Sequence, residues 1–142
     1  LFYEKESTPL CEIMGNNKSD KGRIDINNSW HNYTTFYYSI FKEWRDKKLR
    51  VFELGLGTNN VNIPSNMGIN GRPGASLYGW RDYFPKATIY GADIDRDILF
   101  ETDRIKTYYC DQTIERECYE RDFSQALRSF RAVIGLSRIA KR

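Results

Sequence analysis

Apolar residues recur along this chain in two rhythms. Val51, Phe52 and Leu54 form a short run broken by one carboxylate, Glu53, and Ala87-Thr88-Ile89-Tyr90-Gly91-Ala92 forms a second run; both have strand length and both end in turn chemistry. A third strand is predicted over Arg104–Cys110, and a last short apolar run, Ala132-Val133-Ile134, has the length of a fourth. Between them the rhythm changes to that of helices. Ser29 can cap a helix whose Tyr33, Phe36, Tyr37, Ile40, Phe41 and Trp44 share one face, and most of these side chains are expected in the core. The charged stretch Arg45–Lys48 then reads as a solvated connection. Ala75–Tyr83 reads as a helix ended by Pro85, with Leu77, Trp80, Tyr83 and Phe84 packing inward and Gly79 allowing a close helix-to-sheet contact. Tyr119, Phe123, Leu127 and Phe130 give a further amphipathic helix. Near the start, Pro9 precedes a short helical or irregular piece ending at Gly15-Asn16-Asn17, and Ser19-Asp20-Lys21-Gly22 reads as a turn.

The chemistry gathers between Arg50 and Asp95. The first strand stops at Gly55-Leu56-Gly57-Thr58, where two glycines permit a tight turn and close backbone approach. The second strand stops at Asp93-Ile94-Asp95, and a carboxylate there is placed to accept hydrogen bonds from ribose hydroxyls. A nicotinamide site would want a third glycine in register, a helix starting at once and an acid roughly 20 residues on. Here the third glycine is missing, Asp93 follows Glu53 by forty positions, and a glycine- and proline-rich loop from Asn59 to Gly74 intervenes. A nucleoside cofactor without phosphates suits this spacing better. The long loop is expected to border a substrate entrance.

Glu53-Leu54-Gly55-Leu56-Gly57-Thr58, Ile89-Tyr90-Gly91-Ala92-Asp93-Ile94-Asp95 and Tyr109-Cys110-Asp111-Gln112-Thr113 together resemble the first three strand ends of a class I S-adenosylmethionine-dependent methyltransferase. Ser19–Gly22, His31-Asn32-Tyr33, Pro64–Gly68 and Pro73–Leu77 are similar to segments of bacterial enzymes that O-methylate sugars, surface polysaccharides and macrolide sugars. The resemblance implies an α/β, Rossmann-like methyltransferase fold with parallel central strands. It implies residues 1–48 as a helical segment covering the cofactor site and 49–142 as a partial cofactor-binding domain. It assigns Glu53, Gly55 and Gly57 to the methionine portion of S-adenosylmethionine, Asp93 to the ribose with Asp95 as second choice, and Asp111 with Gln112 to the adenine. Lys21 lies over the same site. An N-cap for the next helix is the structural alternative for Asp111.

The resemblance fades after Thr113. In the similar enzymes the fourth strand is followed by a pair of acids and a histidine that serve metal binding and catalysis, whereas this chain has Gly135-Leu136-Ser137-Arg138. At most four of the usual seven strands are expected, so the chain reads as a fragment, or as one whose end is altered by truncation or frame disruption. If it is complete, exposed edge strands would favour dimerisation or instability. Any divalent metal would need ligands from residues absent here, and the carboxylate pair Asp93 and Asp95 alone is weak evidence for magnesium. His31, the only histidine, is the one nameable catalytic base; a lone imidazole without a partner specifies no chemistry, so the catalytic residue stays unknown.

Composition narrows the classes without choosing among them. With 40% apolar and 15% aromatic residues the 142-residue chain suits one folded domain. The net charge of +3 comes from residues 114–142, with seven Lys/Arg against four Asp/Glu, which is too thin a footprint for nucleic acid. No apolar run approaches ~18 residues, so no membrane span is predicted and the expected location is cytoplasmic. Cys11, Cys110 and Cys118 show no metal spacing and are expected as reduced thiols. The predicted function is methyl transfer from S-adenosylmethionine to a hydroxyl of a sugar or surface-glycan precursor, a small-molecule partner. The alternatives are a non-catalytic nucleotide-binding or interaction domain and a nicotinamide-dependent oxidoreductase.

Overall fold

The structure is a computed structural model that describes residues 7–22, 33–64, 66–111, 113 and 132–135. The expected helix over Tyr119–Phe130 lies outside the described residues, as do Cys118, His31, Gln112 and the stretch after Gly135.

Among the described residues four strands form one parallel sheet: β1 (Arg50–Leu54), β2 (Thr88–Asp93), β3 (Ile105–Tyr109) and β4 (Ala132–Gly135), in the spatial order β3-β2-β1-β4. The chain moves outward from β1 to β3 and then returns to pair with the other side of β1. That reversal makes the C-terminal end of β1 the topological switch point, where open α/β sheets bind their ligands. Strand register puts Val51, Ile89 and Ile105 in one row. All three are fully buried, on the face covered by helices. Phe52 and Ala92 belong to a second apolar cluster with Cys110, against which Leu54, Tyr90 and Tyr108 pack.

Among the described residues three helices make the covering layer. In α1 (Pro9–Asn16) the Thr8 hydroxyl accepts from the Cys11 N–H at 3.2 Å and Pro9 occupies the first turn, where its missing N–H costs nothing. Its buried face, Leu10, Cys11 and Met14, meets α3 (Ala75–Tyr83), and a Cβ on Gly79 would overlap the Met14 side chain. The glycine expected to bring helix and sheet together therefore brings two helices together. The helix-to-sheet approach belongs to Gly91 of β2, whose missing Cβ leaves room for Leu56 and Leu77.

The helix α2 (Tyr33–Phe41) departs from expectation. Tyr37 and Phe41 pack edge-on against Trp80, with ring centroids 5.6 and 6.3 Å away, but Phe36 and Ile40 are 51% and 45% exposed and Tyr33 is 42% exposed. The aromatic face is wider than the groove that α3 offers, so only its centre is covered by described residues. Arg45, expected in solvent, instead lies 5.0 Å over the Tyr83 ring and donates to the Tyr83 carbonyl at 3.2 Å. At the same C-terminal end of α3, Arg104 donates to the carbonyls of Arg81, Phe84 and Ala87 at 3.0 to 3.1 Å, tying the helix end to the turn that leads into β2.

Two thiols part ways. Cys110 is disulfide-bonded, which corrects the expectation of reduced cysteines at that position, whereas Cys11 is a buried thiol in no disulfide. Burial acts to raise the Cys11 thiol, but hydrogen bonds from Thr34 and Thr8, with Thr35, outweigh it and leave its pKa lowered. No helix among the described residues is long and apolar enough to cross a membrane.

Candidate cofactor site at the switch point

Two carboxylates organise the C-terminal end of the sheet, each by a different set of donors. Glu53 projects from β1 beneath the helices and is fully buried. Its Oε1 accepts from the Ser76 hydroxyl at 2.6 Å and pairs with Lys21 Nζ at 3.0 Å, while Oε2 accepts from the Trp80 indole at 2.6 Å. Ser76 and Trp80 are four apart on α3, so one helix face supplies two of the donors. Lys21 arrives from the turn after α1, with only 12% of its side chain exposed. A buried charge survives only when paired and hydrogen-bonded, and Glu53 has both. The neighbouring Tyr37 hydroxyl is pushed up to about 12, first by burial and then by the Glu53 charge.

Asp93, at the tip of β2, binds backbone instead. Its Oδ2 accepts from the Leu56 N–H at 2.7 Å, inside the glycine turn, and its Oδ1 accepts from the Asp95 N–H at 2.9 Å. Asp95 in turn accepts from the Thr58 hydroxyl and, at 3.0 Å, from the Asp97 N–H, which caps the short 3-10 turn Arg96–Ile98. The glycine turn is thus held against β2 by side-chain carboxylates as well as by the Gly55 N–H on the Ala92 carbonyl at 2.8 Å. Gly55 and Gly57 both have φ near +80°, a conformation that side chains with a Cβ rarely adopt. Cys110 N–H bonds the Asp93 carbonyl at 2.9 Å, which brings β3's end, and Asp111 with it, to the same edge. Asp111 is half-buried, and its Oδ1 accepts from the Thr113 N–H at 2.9 Å and the Thr113 hydroxyl at 2.6 Å.

Gly55, Gly57, Asp93 and Asp111 therefore gather at one end of the sheet, while Glu53 and Lys21 lie beneath the turn, on the helix side. Each Asp93 oxygen already accepts one backbone donor and retains a second lone pair. Both Glu53 oxygens accept from side chains, two on Oε1 and one on Oε2, which ties Lys21 and α3 to β1. Sequence reasoning missed Ser76, Trp80 and Thr58; the i, i+4 spacing of the first pair was the one signal that could have found them.

The loop after the turn also differs from its reading in the sequence. It folds back on itself: Met67 N–H bonds the Thr58 carbonyl at 2.7 Å, the Asn59 amide donates to the carbonyls of Gly68 and Gly71, and Gly74 N–H bonds the Leu56 carbonyl at 3.1 Å. The start of α3 consequently lies beside the glycine turn despite the long insertion. The contrast with a nicotinamide site that rested on a distant helix fails in space, although the absent third glycine stands.

No family profile matches the chain. Curated relatives do. The chain is 36% identical over 98 residues to the 8-demethyl-8-(2-methoxy-alpha-L-rhamnosyl)-tetracenomycin-C 3'-O-methyltransferase of Streptomyces olivaceus, a match covering 69% of this chain and 22% of that protein. It is 32% identical over 90 residues to the L-olivosyl-oleandolide 3-O-methyltransferase of Streptomyces antibioticus, covering 63% and 20%. With the demethylmacrocin O-methyltransferase of Streptomyces fradiae the figures are 34% over 84 residues, 59% and 19%. The chain spans about a fifth of the length of these relatives. Among solved structures, the MycE methyltransferase of the mycinamycin pathway, in complex with Mg, SAH and mycinamycin VI, superposes with a TM-score of 0.62 at 26% identity, over 92% of this chain and 31% of that one. A second crystal structure of MycE, with Mg and SAH, gives 0.63 and 27%. By fold, by the glycine turn and by these likenesses, the chain is a relative of the class I S-adenosylmethionine-dependent sugar O-methyltransferases and carries part of their Rossmann-like α/β fold.

Proposed function

We propose that this chain forms the S-adenosylmethionine-binding part of an enzyme that methylates a sugar hydroxyl on a glycosylated small molecule. The observation that carries the reading is the convergence of the glycine turn with the tip of β2, locked by the bond from Leu56 N–H to Asp93 at 2.7 Å. Such a corner leaves backbone exposed to a ligand on one side and sets a carboxylate beside it. The residues described fit the cofactor: Gly55 and Gly57 would flank its methionyl portion, Asp93 would accept from the ribose hydroxyls, and Asp111 would serve the adenine, a role the sequence also offers Gln112.

When bound, the cofactor supplies a methyl group made electrophilic by a sulfonium. The chain's own part is positioning. Lys21 and α3, anchored on Glu53, keep the turn in shape, and Asp93 would hold the ribose, so that methyl transfer rests on alignment of the bound cofactor with the acceptor hydroxyl. No described residue is placed to take the hydroxyl proton. Among the described residues no three His, Cys, Asp or Glu come together to hold a metal, so no step is assigned to one. The acceptor class follows from the relatives, each named for a sugar-bearing or antibiotic substrate; two exposed apolar residues of the loop, Val61 and Ile69, would suit an acceptor with an apolar body.

Calorimetric titration with S-adenosylhomocysteine tests the cofactor, and NADH titration tests the oxidoreductase alternative. Micromolar binding of the first with none of the second is the expected result. A methyl-transfer assay on glycosylated macrolides then separates an enzyme from a binding domain that has lost its reaction.

A further inference from the structure

Two of the loop's glycines do not face open space. A Cβ on Gly57 would overlap the Met67 thioether, and one on Gly71 would overlap Met67 Cβ, so Met67 is seated between the glycine turn and the returning loop. Its own N–H is tied to the Thr58 carbonyl, and the Asn59 amide donates to the carbonyls of Gly68 and Gly71 just after it. Gly57 is therefore glycine for two reasons: its φ of +80° and the methionine against it. By contrast Gly68, also at positive φ, has nothing near the position of a Cβ.

We propose that Met67 is a positioning residue of the cofactor site, an apolar wall that fixes the Gly55–Gly57 turn for the methionyl half of the ligand. The proposal rests on the reading of that turn as the cofactor site. A flexible thioether fills an irregular gap well, so Met67 holds the shape of the turn without adding a charge or a hydrogen-bonding group to it. On that reading the adenosyl half would lie at the tips of β2 and β3, whereas the Met67 side chain is seated against Gly57 and Gly71, so the two halves of the ligand report separately.

The test is calorimetric titration of the 142-residue chain and its Met67→Ala and Met67→Leu variants with S-adenosylhomocysteine and with adenosine. Met67→Ala should weaken S-adenosylhomocysteine about tenfold, adenosine less than about twofold, and Met67→Leu should restore most of the loss. Unchanged S-adenosylhomocysteine affinity in Met67→Ala overturns the proposal. So does an equal loss of both ligands, which marks a general loosening of the fold. If the unmutated chain binds neither ligand, the assignment of the turn itself is wrong and Met67's role falls with it.

Discussion

Glu53 and Asp93 lie on adjacent strands at the same end of the sheet and are both buried, yet they are held in opposite ways. Glu53 takes its donors from three side chains on two separate stretches: Lys21 after α1, and Ser76 with Trp80 on α3. Asp93 takes its donors from backbone N–H groups, Leu56 and Asp95. Backbone donors come with any sequence that adopts the turn; side-chain donors exist only where those residues stand. The first arrangement is a tertiary staple that three substitutions could dismantle, and the second is a local clamp that depends on the carboxylate alone.

The largest effect should follow from Glu53→Ala, which strands Lys21 in a buried place and releases α3's hydrogen bonds. Removal of one member of a buried pair costs about 3–5 kcal/mol, visible as a lowered urea midpoint. A loss below about 1 kcal/mol would dissolve the contrast between the two acids. Asp93→Ala should cost about 1.5–3 kcal/mol of cofactor affinity, as a charged acceptor is lost, while stability falls less than for Glu53→Ala. An unchanged affinity in the folded variant would remove Asp93 from the site. Trp80→Phe keeps the ring packing and deletes one donor to Glu53, for a stability loss of about 1–2 kcal/mol in the same denaturation experiment.

The smallest effect is alkaline. Tyr37 and Tyr83 are both raised from 10.0 to about 12, burial being the first cause in each; the Glu53 charge adds to it at Tyr37, whereas Arg45 opposes it at Tyr83. The folded chain keeps protons that the unfolded chain releases, so the associated stability is whole below about pH 10 and drains away as pH rises towards 12. Thermal midpoints followed across that window should fall, and Tyr37→Phe should flatten the fall because it removes the phenol nearest Glu53. An equally steep fall in the variant would place the cause elsewhere.

Strands and the glycine turn were legible in the chain because they are written locally. Val51–Leu54 and Ala87–Ala92 stand within a residue of β1 and β2, and Ala75–Tyr83 coincides with α3. Ala132–Ile134 matched the start of β4, though nothing local indicates that it returns to the far side of β1. Helix α2 misled because a stripe of aromatics at helical spacing marks a face, not what covers it; Phe36 and Ile40 show that face to solvent. Gly79 misled likewise, since a missing side chain signals a close neighbour without naming it.

Taken alone, the sequence determined the α/β alternation, the corner at Gly55–Gly57 and the acids that follow the strands, since each rests on spacing within a few residues. Only the folded chain decided which acid faces the helices and which the turn, that the long loop closes on itself through Met67, and that α3 begins beside the turn it is so far from in sequence. Those outcomes depend on contacts between stretches tens of residues apart, where burial and hydrogen-bond satisfaction choose among partners that no local pattern ranks.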